Sequence, residues 1–118
     1  MTVSRKAKNN RKKFEGSWHI QEMEAWDKDY FNMDVQAYFQ IESNNLGNFQ
    51  FGLVSGQLDG ETNKIGEEEI FVFSWEGNDE CDPASGCGWC RLRDKNTIEG
   101  SIKLHLGDNS TFLAERVE

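Results

Sequence analysis

Proline is almost missing from this 118-residue chain, with Pro83 its single occurrence. Its 11 glycines carry no repeating period, which excludes proline-rich and collagen-like polymers. No apolar run approaches the ~18 residues that a membrane-crossing helix requires, so a membrane partner is not expected. No apolar stretch follows the basic N-terminus, so no secretory signal is read. Cysteine is limited to Cys81, Cys87 and Cys90, an odd number that cannot pair fully within one chain. Together these two features point to a reducing, cytoplasmic setting. Histidine is limited to His19 and His105. The nucleophile elbow G-x-S-x-G, the zinc helix H-E-x-x-H and the phosphate-binding P-loop are all missing, so no catalytic residues are assigned.

The charges that are present divide the chain. Residues 1–13 hold Arg5, Lys6, Lys8, Arg11, Lys12 and Lys13 and no acid. From Phe14 onward seven cations face all 21 acids, so a +6 arm precedes a −14 body. The arm has too little apolar surface to repay the entropy of ordering it, and is expected to be a mobile tail or a fraying helix. Six cations suit phosphate neutralisation. However, no aromatic side chain is interleaved with them, and the acidic body repels a polyanion. Nucleic acid is therefore not the expected partner. Residues 14–118 are read as one domain.

Within the body, apolar residues alternate with polar ones and turns recur every ten to twelve residues. Trp18 and Ile20 share a face in a first strand over 16–26, where a bulge near Glu22 is needed to keep Met23 and Ala25 on the apolar side. Residues 27–34 form a charged loop with Tyr30, Phe31 and Met33, expected to include a helical turn that plugs an opening. Strands follow over 36–42, 48–54, 57–61 and 69–75, the last apolar on both faces. Residues 76–86 are read as a long acidic loop. Strands over 87–93, 98–106 and 110–117 complete the chain. The fold class is all-β: seven or eight antiparallel strands in an up-and-down β-barrel, with a β-sandwich as the alternative.

In the last strand Phe112, Ala114 and Arg116 share a face, which turns a cation inward. Trp18 in the first strand is its natural partner, because an indole face attracts a guanidinium. First and last strands adjoin in a closed barrel. Gly16-x-Trp18 opening the first strand and Arg116 near the end of the last resemble the calycin superfamily (lipocalins, fatty-acid-binding proteins and avidins). The wider sequence, from GSWHIQEMEAWDKDY through FQFGLVSGQLDGE and FSWEGNDECDPASGCGW to SIKLHLGDNSTFLAER, is similar to an uncharacterised family of small bacterial proteins. The calycin resemblance implies a barrel in which Gly16, Trp18 and Arg116 form a structural latch at the base, away from any ligand mouth.

All 14 aromatic residues lie in the body, and the strand residues Phe39, Phe49, Phe51, Phe71, Phe73, Trp75, Trp89 and Phe112 are enough to fill a small barrel. The alternative is a short apolar cup for one small apolar or amphipathic ligand, gated by Tyr30, Phe31 and Met33, with Glu22 and Gln50 as inward polar contacts. Cys87-x-x-Cys90 offers half of a zinc knuckle, but a fourth ligand is missing and the two cysteines have opposite strand parity. Neither a metal nor a cofactor is expected, and a disulfide from Cys81 to Cys87 or Cys90 is the other option. The acids of 76–82 lack the spacing of a calcium loop. With Asp27, Asp29 and Asp34 they make one barrel mouth negative. The expected function is a non-enzymatic small barrel that binds a small ligand. Two alternatives are an interaction module that forms a homodimer or binds a partner through its outer sheet surface, and a weak enzyme using acidic residues such as Glu22.

Overall fold

The computed structural model describes residues 13–117. The basic arm, apart from Lys13, lies outside the described residues. Eight strands form a closed antiparallel barrel in which each strand pairs with its neighbours in sequence and β1 pairs with β8. The strands are β1 (Gly16–Met23), β2 (Tyr38–Ile41), β3 (Leu46–Phe51), β4 (Val54–Ile65), β5 (Glu68–Asp79), β6 (Asp82–Asp94), β7 (Thr97–Leu104) and β8 (Asn109–Val117). One helical turn, α1 (Lys28–Phe31), lies between β1 and β2. The barrel is of the up-and-down kind, with no sandwich seam.

Strict alternation explains most of the core. Ile98, Gly100 and Ile102 of β7 and Phe112 and Ala114 of β8 are buried, as are Phe71, Phe73 and Trp75 of β5. In β1 the register against β8 shifts between Ile20 and Glu22, so Gln21 is the extra residue. That bulge returns Met23 to the interior and leaves Glu22 exposed. Ala25, beyond the strand end, is exposed as well, and its N–H donates to Ser110 Oγ at 3.0 Å.

Ring contacts run through the barrel from one end to the other. Phe14 meets Phe71 at a centroid distance of 5.6 Å, and Phe71 meets Phe73 at 6.0 Å. Phe39 touches Phe73, Phe49 and Phe112 at 6.1, 5.5 and 4.7 Å. Phe49 continues to Phe51 at 5.9 Å, Phe51 to Trp26 at 5.0 Å, and Trp26 to Tyr30 at 6.0 Å. Phe14 is the buried plug at the base and Phe31 the buried plug at the top.

Several strands run further than their apolar pattern. Residues 76–86 are not a loop: β5 continues to Asp79, turns at Glu80 and Cys81, and returns as β6 from Asp82. Pro83 fits because β6 pairs with β7 only from Gly86 onward, so there β6 has β5 alone as neighbour. β4 runs to Ile65 and turns at Gly66, so Thr62–Lys64 is strand. The β3–β4 turn lies at Gly52-Leu53, inside the stretch 48–54 that was expected to be one strand. β7 ends at Leu104, and Leu106 is 92% exposed rather than inward. The long β4, β5 and β6 stretch the molecule to 49 × 28 × 24 Å.

The top plug is tied to the β3–β4 turn. Asp27 caps α1, its Oδ1 accepting from Tyr30 N–H at 3.0 Å. Gly52 N–H donates to the Phe31 carbonyl at 2.8 Å. Gly52 has φ +60°, and a Cβ there would lie 2.3 Å from the Tyr30 ring. Gly66 has φ +64° with open space around it. Gly66→Ala is expected to cost ~1 kcal/mol for the left-handed backbone alone, and Gly52→Ala ~3 kcal/mol because the Tyr30 ring must move as well. Urea unfolding of the two variants measures the difference.

Candidate functional site

At the base, Trp18 and Arg116 are direct cross-strand partners on β1 and β8. The guanidinium carbon of Arg116 lies 4.2 Å from the Trp18 ring centroid. Its nitrogens donate to three carbonyls: Glu15 at 2.8 Å, Lys13 at 3.0 Å and Lys95 at 3.2 Å. Trp18 Nε1 donates to the Phe14 carbonyl at 3.0 Å. Gly16 opens β1 opposite Ile41. One side chain thus joins the segment before β1, the turn between β6 and β7, and the closing seam.

The five residues of the sequence-derived ligand set do not converge. Phe31 is buried as the plug, and Tyr30 is half-buried against Trp26 with its hydroxyl accepting from Leu53 N–H at 3.4 Å. Met33 is 56% exposed. Glu22 faces outward beside Trp89, Arg91 and Leu113 in a surface groove of about 520 Å³. Gln50 is on the outer face of β3, where its amide donates to Asp34 Oδ2 at 2.8 Å and to the Gly52 carbonyl at 3.2 Å. Parity is the reason: the Gln21 bulge turns Glu22 out, and alternation with Phe49 and Phe51 turns Gln50 out.

Two broader grooves lie on the outside of the sheet. One, of about 730 Å³, is polar and is lined by Tyr38, Asn48, Gln57, Glu76 and Asn78. The other, of about 700 Å³, is apolar and is lined by Ile65, Ile70, Val72, Cys87 and Trp89, with Arg91 and Lys103 among its bordering cations. Here Trp89 departs from its expected place inside the barrel. It is 38% exposed, while Gly88 and Cys90 on either side of it face inward. The signal was present in the alternation: small residues at 86, 88 and 90 take the crowded inner positions, which leaves 87, 89 and 91 outside.

Cys81 and Cys87 are exposed, and Cys90 is buried. Cys87 and Cys90 lie on opposite faces of β6, so no single ion reaches both. Among the described residues no group of three or more His, Cys, Asp or Glu side chains forms a metal cluster. Burial pushes the Cys90 thiol far above its usual pKa, because the thiolate would have no solvation there. His19 is half-buried at the surface and His105 is exposed. Comparison of the chain with protein families, with curated proteins and with solved structures yields no match.

Three outcomes follow. Arg116→Ala is expected to lower stability by ~2–4 kcal/mol, since it removes the ring contact and leaves three carbonyls to find other donors, while Arg116→Lys recovers only part of the loss. Denaturant titration reads both. In the native protein a maleimide is expected to label two thiols, and the third only after unfolding. The raised Cys90 pKa also has a sign: the unfolded thiol ionises first, so stability from this group is complete below pH ~8.5 and declines as pH rises beyond it. A Cys90→Ala variant should show a shallower alkaline loss in the same titration.

Proposed function

We propose that this chain is a non-enzymatic interaction module, a calycin-like barrel whose working surface is the outer face of β5, β6 and β7. The carrying observation is Trp89, a large ring left 38% exposed beside Ile65, itself 67% exposed. Half-buried Ile70 and Val72 extend the same apolar surface. Soluble monomers seldom leave such side chains contiguous, and a central tryptophan in an apolar patch is the usual anchor of a protein–protein contact.

The interior supports the same choice. A carrier barrel needs a cup along its axis, and here Phe39, Phe49, Phe71, Phe73 and Phe112 meet ring to ring along it. The Gly16, Trp18 and Arg116 arrangement supports a calycin-like ancestry, with the resemblance to small bacterial proteins as the narrower placement. That ancestry supplies the scaffold, and the long strands β4–β6 supply the surface.

Trp89→Glu tests the reading, because the residue lies outside the core. The variant is expected to keep its circular dichroism and melting temperature while losing the cross-linked species that the wild-type chain forms in its host cell. Identical cross-linked species from both proteins would overturn it.

A further inference from the structure

The register of the apolar face says what covers it. Along β4, β5, β6 and β7 the pairing sets Asp59, Ser74, Cys87 and Lys103 side by side in one row. The next outward-facing row holds Glu61, Val72, Trp89 and Ser101. The row after that holds Asn63, Ile70, Arg91 and Glu99. The face therefore has an apolar centre on β5 and β6, the acids Asp59 and Glu61 on its β4 flank, and on its β7 flank Lys103 together with Glu99, whose carboxylate pairs with Arg91. Asp59, Glu61 and Lys103 are exposed, and none of the three has an ion-pair partner among the described residues. Arg91 is already engaged, by Glu99 at 2.9 Å and Glu68 at 3.5 Å.

We infer that this face pairs with a second copy of itself about a two-fold axis that runs parallel to the strands, between β5 and β6. Such an axis exchanges left and right while keeping position along the strand. It lays Trp89 on the partner's Val72, and Asp59 toward the partner's Lys103, with the reciprocal contacts generated by symmetry. Acid flank meets lysine flank twice, and the apolar centres meet once. An axis perpendicular to the strands lacks this match, because it lays each acidic flank over its own copy. Cys87 falls beside the axis, facing the partner's Ser74 and near its own counterpart. The chain's net charge of −8 opposes the approach of two copies. At physiological salt that repulsion is screened beyond ~8 Å, and the local match decides.

This inference rests on the outer-face reading and adds the identity of the partner. Sedimentation of the purified full-length chain in 150 mM salt, up to about 100 μM, is the test. A dimer is expected, weakened about 30-fold or more by Trp89→Glu. Asp59→Lys or Lys103→Asp alone should weaken it by about fivefold, and the two together should restore it. With Cys81→Ser as background, a short bismaleimide should join two chains through Cys87 and fail with Cys87→Ser. A monomer at every concentration overturns the inference. So does undiminished association of Trp89→Glu, or a double reversal no better than the singles. If the purified chain is monomeric and Trp89→Glu still abolishes cross-linked species in the cell, the outer-face reading stands and the second copy is wrong.

Discussion

An eight-stranded sheet has two edges, and the seam between β1 and β8 removes both. The contact of Arg116 with the Trp18 ring sits on that seam. Its worth does not come from the ring alone. A guanidinium brought to the base of an apolar barrel needs its donors satisfied, and the carbonyls of Lys13, Glu15 and Lys95 supply partners. The cation is therefore a fastener with several ends. It fixes where the chain enters β1 and where β6 hands over to β7. With the seam closed, every inward side chain has a defined position around one axis, and the column of rings can pack.

Closure and filling together determine which side chains reach the outer surface. Large rings on β2, β3, β5 and β8 meet across a narrow barrel, and the small residues opposite them, Gly56, Gly60, Gly88 and Gly100, make room. A Cβ at Gly60 would strike the Phe71 ring and one at Gly88 the Phe73 ring. The inner wall of β6 is thus built from small residues, and the bulk of that strand, Trp89, is outside. The apolar outer face is a consequence of how the interior is packed.

Much of this was legible in the chain. The up-and-down barrel of seven or eight strands follows from alternation and closely spaced turns along the body, and the meeting of Trp18 with Arg116 from alternation in the first and last strands. The errors have a common physical origin. Apolar alternation reports burial, whereas strands are held by backbone hydrogen bonds that need no burial. Residues 76–86 therefore read as a loop although they pair through Asp79 and Asp82. Facing is equally fragile, because one extra residue inverts it. Gln21 sends Glu22 out, and with it goes the polar half of the expected ligand cup. For Trp89, hydrophobicity argued inward and parity argued outward. Parity was the better guide, since Gly88 and Cys90 take the crowded inner sites on either side and alternation turns the ring between them outward.

The seam also orders events in time. Arg116 and the Glu15 carbonyl it binds are 101 residues apart in sequence. Of the eight strands β1 is made first, yet its neighbour across the seam, β8, is made last. The hairpins of β3 through β7 assemble from partners close together in the chain. β1 meanwhile keeps one edge bare until β8 is made. The barrel therefore closes only once β8 is present, and a chain truncated before β8 leaves an open edge on either side.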